Sequence, residues 1–198
     1  GLSLSGGWNS LGMRGNQSNP MRLENVRLRL DQRLIGDDGK GADVMLGRAL
    51  PVFLVCQAAI GNGLAEAAVN AALGHVTSAN FQHLGTRLMD LPNLRANLAQ
   101  MRMETDRARA YLEDTLHRME SGQPDSMGHL LAIKGSSAET AVSVSDLAMR
   151  TCGGAAFSRH LGLERVFRDS RAAIVMAPTT DHLREFCGRL MVGLPLFG

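Results

Sequence analysis

Aromatic residues and cysteine are scarce in this sequence. Phe, Trp and Tyr together make up 4% of the 198 residues, and three cysteines are present. A core with so few rings must be filled by Leu, Met, Ala and Val, which is typical of helical bundles rather than of β-sandwiches or barrels. Cys56, Cys152 and Cys187 are odd in number and widely spaced, which argues against a disulfide framework. We therefore expect buried, reduced thiols in a reducing compartment.

The sequence also lacks an excess of charge and an apolar run of membrane length. Its 21 basic residues are scattered and offset by 19 acidic ones, giving a net charge of +2 and no electrostatic case for a nucleic-acid partner. The longest apolar run, residues 50–60, contains Pro51 and Gln57 and is too short to span a bilayer. Because no basic segment followed by an apolar one opens the chain, we expect no signal peptide and a cytoplasmic location.

Familiar catalytic and metal motifs are missing as well. The chain contains no Gly-x-Ser-x-Gly, no P-loop and no Gly-x-Gly-x-x-Gly. No histidine stands at a metal-ligand spacing from another ligand, so we predict no metal site and place each histidine at a surface or an interface. These histidines are His75, His83, His117, His129, His160 and His182. The sequence assigns no catalytic residue.

Residues 1–38 differ from the rest of the chain in composition and in hydrophobic pattern. They are rich in Gly and Asn, and the apolar residues Met21, Leu23, Val26 and Leu28 alternate with polar ones with one slip of register. This pattern predicts one or two short strands with a bulge. Two strands cannot enclose a core. The segment is therefore either an arm on the following helices or the cut end of a β-domain, and we favour the cut end.

Residues 39–198 predict an antiparallel bundle of four principal helices, so the fold class is mainly α with a short N-terminal β segment. The first helix begins near Gly41 and is nearly free of charge up to residue 78, which predicts burial on all sides, with kinks at Pro51 and at Gly61 and Gly63. The second carries a core stripe at steps of three and four: Leu91, Leu94, Leu98, Met101, Thr105, Ala108, Leu112 and Met119. The third carries a stripe of small residues that allows close helix packing: Ala138, Ala141, Ser145 and Ala148.

One corner near the C-terminus combines a glycine pair, an arginine-rich turn and the start of the last helix. Gly153 and Gly154 are predicted to end the third helix. The last helix is predicted to start at Pro178 or Thr179. The Thr179-Thr180-Asp181 sequence is suited to cap that start, and the free N–H groups there can also hold an anion or a ligand hydroxyl. On these three residues alone, capping is the simpler interpretation.

Separated motifs along the chain, in the same order, resemble the acyl-CoA dehydrogenase family. Two segments resemble the end of the family's middle β-domain: Leu11-Gly12-Met13-Arg14 and Leu23-Glu24-Asn25-Val26. Six further segments resemble the family's C-terminal helical domain. They are Gly63-Leu64-Ala65-Glu66-Ala67-Ala68, Leu84-Gly85 with Leu88, Gly153-Gly154, Glu164-Arg165, Arg168-Asp169-Ser170-Arg171 and Thr179-Thr180-Asp181. The resemblance covers essentially all of this chain but only the last half of a typical family member.

This resemblance implies an FAD-dependent oxidoreductase acting on CH–CH groups of acyl-CoA thioesters. It implies cofactor contacts at Arg150, Gly153, Gly154, Thr179 and Asp181, and a homo-oligomer, either a dimer or a tetramer. It further implies that the chain is part of a protein about twice its length. The parts that hold the flavin ring lie outside it, so we expect this piece to be inactive alone.

The sequence departs from the family at positions that carry the chemistry. Family members place a glutamate base where Ala177 stands here, or on the first helix, where Phe53 lies near the expected slot. A customary arginine is replaced by Phe81, and Arg150 stands where glutamine is usual. Three interpretations follow from the resemblance: an enzyme whose base comes from elsewhere, a flavin monooxygenase-type relative that needs no carboxylate base, and a non-catalytic subunit or assembly module.

Overall fold

A computed structural model describes residues 1–32, 40–81 and 85–196 of the chain. Two short antiparallel strands come first, β1 (Leu2–Leu4) and β2 (Met21–Leu23), with Leu2 paired to Leu23 and Leu4 to Met21. The predicted N-terminal β segment is therefore confirmed, although β2 ends at Leu23 rather than near residue 28. The proposed boundary between residues 38 and 39 falls outside the described residues, as do His83 and Leu84.

Helices make up most of the remaining structure. A short helix α1 (Gly41–Val44) continues through a π-helical turn (Met45–Ala49) into α2 (Leu50–Ser78). A two-residue strand pair follows, β3 (Asn80–Phe81) and β4 (Thr86–Arg87). The remaining helices are α3 (Pro92–Glu120), α4 (Ser126–Cys152), α5 (Gly154–Phe157), α6 (Leu163–Val175) and α7 (Thr180–Met191). Single 3₁₀ turns occupy Leu30–Gln32, Leu88–Asp90 and Arg159–Leu161.

The helix α4 lies at the centre of the bundle. It packs against α2, α3, α6 and α7, and the predicted stripe of small residues is buried along it, with Ala141, Ser145 and Ala148 fully inaccessible. Small side chains let neighbouring helices approach closely. The larger core residues Leu54, Met101 and Leu131 are at most 1% exposed, and burial of each such side chain contributes about 1.5–3 kcal/mol.

Two successive helices, α6 and α7, together occupy the position of the fourth helix in the bundle. Ser145 of α4 contacts Ser170 of α6 through their hydroxyl groups at 3.0 Å. Further towards the start of α4, a Cβ on Gly135 would contact Leu183 of α7, and one on Gly128 would contact Leu190. α6 therefore covers the second half of α4, and α7 continues antiparallel to it along the first half. The four-helix arrangement is confirmed, but the predicted arginine-rich turn is wrong, because those residues form α6.

The first long helix differs from its prediction in two respects. Its glycines do not interrupt it, and the irregularity expected at Pro51 takes the form of the π-helical turn Met45–Ala49 just before the proline. It is not buried on all sides either, since Val52 is 63% exposed, Ile60 43% and Leu73 46%. Composition revealed that this helix is apolar all round, but not that only one side of it is covered.

The stretch Gly41–Ser78 is also long and apolar enough, by length and composition alone, to cross a membrane. Its polar contacts are those of a bundle helix. Asn62 donates from Nδ2 to the Ala108 carbonyl oxygen of α3 at 3.2 Å, and Glu66 pairs with Arg102 at 2.9 Å and with Arg109 at 3.0 Å. These three contacts join α2 to α3 along the covered side.

Candidate functional site

The first group of predicted site residues lies at the C-terminal end of α4. The helix ends at Cys152, and Gly153 follows with φ +57° and its N–H donating to the Met149 carbonyl oxygen at 3.0 Å. This left-handed φ favours glycine, so the predicted glycine cap is confirmed. A Cβ built on Gly153 or Gly154 would meet no atom within 4 Å. The glycine pair therefore leaves its backbone open to a ligand.

A cavity of about 420 Å³ opens beside this glycine pair. Arg150 lines it and is exposed, without an ion pair to any residue that the structure describes. Phe81 and His75 line the same cavity, and burial, followed by the nearby His160, lowers the pKa of His75. The cavity thus joins an uncommitted guanidinium, an aromatic ring and an open backbone. Its remaining lining residues are Ala79, Asn80, Leu88, Leu91, Leu94, Thr151, Cys152, Gly153 and Gly154.

The second group lies at the start of α7. Thr179 is the N-cap residue, and its Oγ1 accepts a hydrogen bond from the His182 N–H at 3.3 Å. The predicted start of this helix and its capping by Thr179 are therefore confirmed. Asp181 in the first turn has an 87% exposed side chain, and it pairs with Arg184 at 3.3 Å. The Asp181 carboxylate is accessible to a ligand at the helix N-terminus, where negative charge is favoured.

The two groups do not form one compact site. Lys134 of α4 reaches the Pro178 carbonyl oxygen at 2.7 Å, which places the start of α7 beside residue 134. Arg150 lies sixteen residues further along the same helix, roughly 24 Å away at 1.5 Å per residue. Arg150, Gly153 and Gly154 therefore occupy one end of α4, whereas Thr179 and Asp181 occupy a position near its middle.

Neither position at which the resemblance implies a catalytic base carries a carboxylate. Ala177 is exposed in the link between α6 and α7, and the Ala177–Pro178 peptide bond is cis. Phe53 is half-buried on α2, next to Leu54, which packs in a buried cluster with Leu183 of α7. Each side chain is apolar, so neither position supplies a proton acceptor.

The N-terminal segment reaches α6 through two of the motifs. Met13 donates its backbone N–H to Asp169 Oδ1 at 2.6 Å. Beside this contact, Arg14, Arg165 and Arg168 line a cleft of about 480 Å³ together with Asp169. Arg168 contacts Glu164 at 3.4 Å. The Arg-Asp motif of α6 therefore attaches Gly12 and Met13 to the bundle.

The cysteine prediction holds for one thiol and fails for another. Cys152 is 6% exposed, and burial raises its thiol pKa to about 11, as expected for an unreactive core residue. Cys187 is half-buried, and burial raises its pKa as well. Cys56 lies on the uncovered side of α2 and is exposed, contrary to the prediction. No three His, Cys, Asp or Glu side chains cluster around a potential metal position within residues 1–32, 40–81 and 85–196.

Lys134 is a buried charged residue that the sequence reading missed. Its side chain is 1% exposed, and its Nζ donates to three backbone carbonyl oxygens near the start of α7. Burial lowers the pKa of this ammonium group to about 8. One signal was available: Lys134 is the only Lys or Arg between Arg118 and Arg150. Its acceptors are backbone atoms, however, and no side-chain pattern identifies them.

Comparison with known proteins agrees with the fold. The acyl-CoA dehydrogenase C-terminal domain matches residues 39–191. A probable acyl-CoA dehydrogenase of Bacillus subtilis is 26% identical over 97% of this chain and 49% of its own length. The chain thus spans about half the length of the curated relatives it matches.

Solved structures show the same architecture. The glutaryl-coenzyme A dehydrogenase complex with glutaryl-CoA superposes with a TM-score of 0.89 at 21% identity, covering 99% of this chain and 48% of that one. The butyryl-CoA dehydrogenase of Megasphaera elsdenii gives a TM-score of 0.88 at 20% identity, covering 97% and 49%. At these identities the structures establish the fold, and the match over residues 39–191 establishes the family. The chain belongs to the acyl-CoA dehydrogenase family.

Proposed function

We propose that this chain is the C-terminal portion of an FAD-dependent oxidoreductase that acts on CH–CH groups of acyl-CoA thioesters. The observation that carries the proposal is the placement of Arg150, an exposed guanidinium without an ion pair to the described residues, at a cavity beside the open Gly153–Gly154 backbone. Guanidinium groups bind diphosphates through paired hydrogen bonds, and glycine lets a ligand approach the backbone closely. The similarity to relatives named as acyl-CoA dehydrogenases supports the substrate class.

The residues of both groups fit the polar parts of FAD. Arg150 is suited to its pyrophosphate, with Gly153 and Gly154 allowing close approach. Thr179 and Asp181 present a hydroxyl and a carboxylate suited to its adenosine hydroxyls. Because the two groups lie roughly 24 Å apart along α4, we propose that they contact different flavins, one belonging to the chain and one to a partner in a homo-oligomer. We assign no described residue to the flavin ring.

An oligomer is also consistent with the uncovered apolar surface. Val52, Ile60 and Leu73 of α2 are 63%, 43% and 46% exposed, and exposed apolar surface of this kind marks an interface. We propose a homodimer or homotetramer, in the cytoplasm. We also propose that residues 1–38 close a β-domain and that residues 39–198 form the helical domain.

Bound FAD would supply the redox chemistry by accepting a hydride. The chain's own contribution is to hold the cofactor and to shape the side of the pocket next to the turn before α7. In such a reaction a carboxylate must remove the α-proton. Because Ala177 and Phe53 cannot do so, we propose that any base comes from another segment or from a partner chain.

Two other functions keep the same fold without that base. A flavin monooxygenase-type relative would need no carboxylate at position 177. A non-catalytic subunit would use the bundle as an interaction surface, which the exposed side of α2 favours.

Three measurements separate these functions: the flavin content of the protein, anaerobic addition of acyl-CoA to the flavin-loaded protein, and oxygen consumption with a reductase. Bleaching of the flavin bands supports the dehydrogenase, whereas oxygen consumption with a reductase and no bleaching supports the monooxygenase. Absence of flavin supports the non-catalytic subunit. As a second test, Ala177→Glu should create or raise bleaching by acyl-CoA, and no gain would count against a retained acyl-CoA pocket.

A further inference from the structure

Lys134 stands out because it is a charged group in the core without a carboxylate partner. It is 1% exposed on α4 and forms no ion pair with any described residue. Lysine is almost never fully buried unless it is paired, since desolvation of the ammonium group is costly. A buried ammonium at this position therefore calls for a specific set of acceptors.

Three backbone carbonyl oxygens supply those acceptors. Lys134 Nζ donates to Ala173 at 3.0 Å, to Met176 at 2.8 Å and to Pro178 at 2.7 Å. The three hydrogens of an ammonium group match three acceptors. The carbonyl of Ala173 belongs to the last turn of α6, where helical carbonyls lack partners within the helix and where positive charge is favoured.

The contact with Pro178 goes beyond capping of α6. Met176 and Pro178 flank Ala177, so the ammonium fixes the backbone on both sides of that residue. Thr179 follows directly and begins α7, where its Oγ1 accepts from the His182 N–H and its carbonyl oxygen from the Leu183 N–H at 2.9 Å. The link of residues 176–179 is thus tied to the middle of α4 at one point.

We propose that Lys134 is a positioning residue that holds the 176–179 link and, through it, sets the placement of Thr179 and Asp181 for the cofactor. The identity of the ligand rests on the proposed function, whereas the position of the link does not. Lys134 itself touches neither position 177 nor the ligand, and it acts through the backbone that carries them.

Hydrogen exchange measured on Lys134→Met tests the positioning. Methionine keeps the length of the side chain and removes the donors. Val144→Ala is the matched control, because Val144 is fully buried on the same helix, roughly 15 Å further along it, and packs in a cluster with Met101 and Leu163. We expect amide exchange at His182 and Leu183 to speed up about tenfold or more in Lys134→Met, the scale of one lost charged hydrogen bond. In Val144→Ala it should change by no more than exchange elsewhere in the bundle.

A second readout measures the consequence for the ligand. FAD affinity, measured by fluorescence titration, should fall about tenfold in Lys134→Met and stay unchanged in Val144→Ala. If Lys134→Met does not fold, Lys134→Arg takes its place. The bulkier guanidinium keeps donors but displaces them, so the same local change is expected.

The outcomes separate this inference from the proposed function. Unchanged exchange at His182 and Leu183, or a change spread evenly over all helices, would overturn the role of Lys134. Faster local exchange with undiminished FAD affinity would overturn the effect on Thr179 and Asp181. If the wild-type protein binds no FAD, the proposed function fails, while local exchange still decides whether Lys134 positions the link.

Discussion

The backbone N–H of Met13 donates to the Asp169 carboxylate at 2.6 Å, across 156 residues of sequence. Next to this hydrogen bond, Gly12 lies so close to α6 that a Cβ on it would be 2.4 Å from the Arg168 carbonyl oxygen. Together, the two contacts attach the N-terminal segment to the helical bundle. They explain why a Gly-Met-Arg motif and an Arg-Asp motif occur together in one chain.

Gly12→Ala should detach that segment. The added Cβ cannot fit against the α6 backbone, so residues 10–16 must move away and the Met13–Asp169 hydrogen bond is lost. We expect limited proteolysis to cut within residues 1–32 several times faster, while the far-ultraviolet circular dichroism of the bundle is kept. Gly15→Ala is the control, because a Cβ there would meet no atom within 4 Å. Equal cleavage of the two variants would contradict the attachment.

Two glycines of α2 should respond in opposite directions to alanine. A Cβ on Gly61 would lie 2.8 Å from the Ser137 carbonyl oxygen of α4, whereas one on Gly63 would meet no atom within 4 Å. Gly61→Ala should therefore lower the free energy of unfolding by about 1–3 kcal/mol through overpacking. Gly63→Ala should raise it by about 0.5–1 kcal/mol, since alanine is the better helix former. Urea denaturation measures both, and a stabilised Gly61→Ala would refute the close α2–α4 contact.

The cysteines should differ in reactivity. Cys56 is exposed, whereas Cys152 is buried and its pKa is raised to about 11. At pH 8 iodoacetamide should modify Cys56 first and Cys152 last, because the thiolate is the reactive form. Peptide mass spectrometry over a time course identifies the order. Early modification of Cys152 in the folded protein would show that the end of α4 is open.

The free energy of unfolding should depend on pH through Lys134. Its pKa is about 8 in the folded chain against 10.5 as a reference, so between these values unfolding takes up a proton. Wild-type stability should therefore rise with pH, relative to Lys134→Met, by up to roughly 3 kcal/mol between pH 8 and 10.5. Urea denaturation of both proteins at pH 7.5 and 10 measures this difference. A difference that is constant or that falls with pH would contradict the buried ammonium.

Sequence patterns predicted the parts of the fold that depend on periodicity. Small residues at helical spacing placed the buried stripe of α4, and Gly153 and Thr179 marked a helix end and a helix start. The helix α6 was not predicted, because its arginines suggested a polar turn. Its buried face is nevertheless at helical spacing: Leu163, Val166, Ser170 and Ala173.

The remaining errors concern contacts between distant segments. The apolar composition of α2 gives no information about which side is covered, so the exposure of Val52 and Cys56 could not be predicted. The resemblance implies cofactor contacts at both Arg150 and Thr179, but the distance between these residues depends on where α7 meets α4. The backbone oxygens that accept from Lys134 at that point leave no side-chain pattern in the sequence.

Equilibrium titration of the protein with FAD tests the central claim most directly. Wild-type protein is compared with Arg150→Ala and with Arg107→Ala, an exposed arginine of α3 outside the cavity. We expect saturable binding by the wild type and by Arg107→Ala, and binding about ten- to a hundredfold weaker in Arg150→Ala, the scale of a lost hydrogen bond to a charged group. No saturable binding by any of the three, or equal affinity in all, would contradict Arg150 as the cofactor contact of this chain.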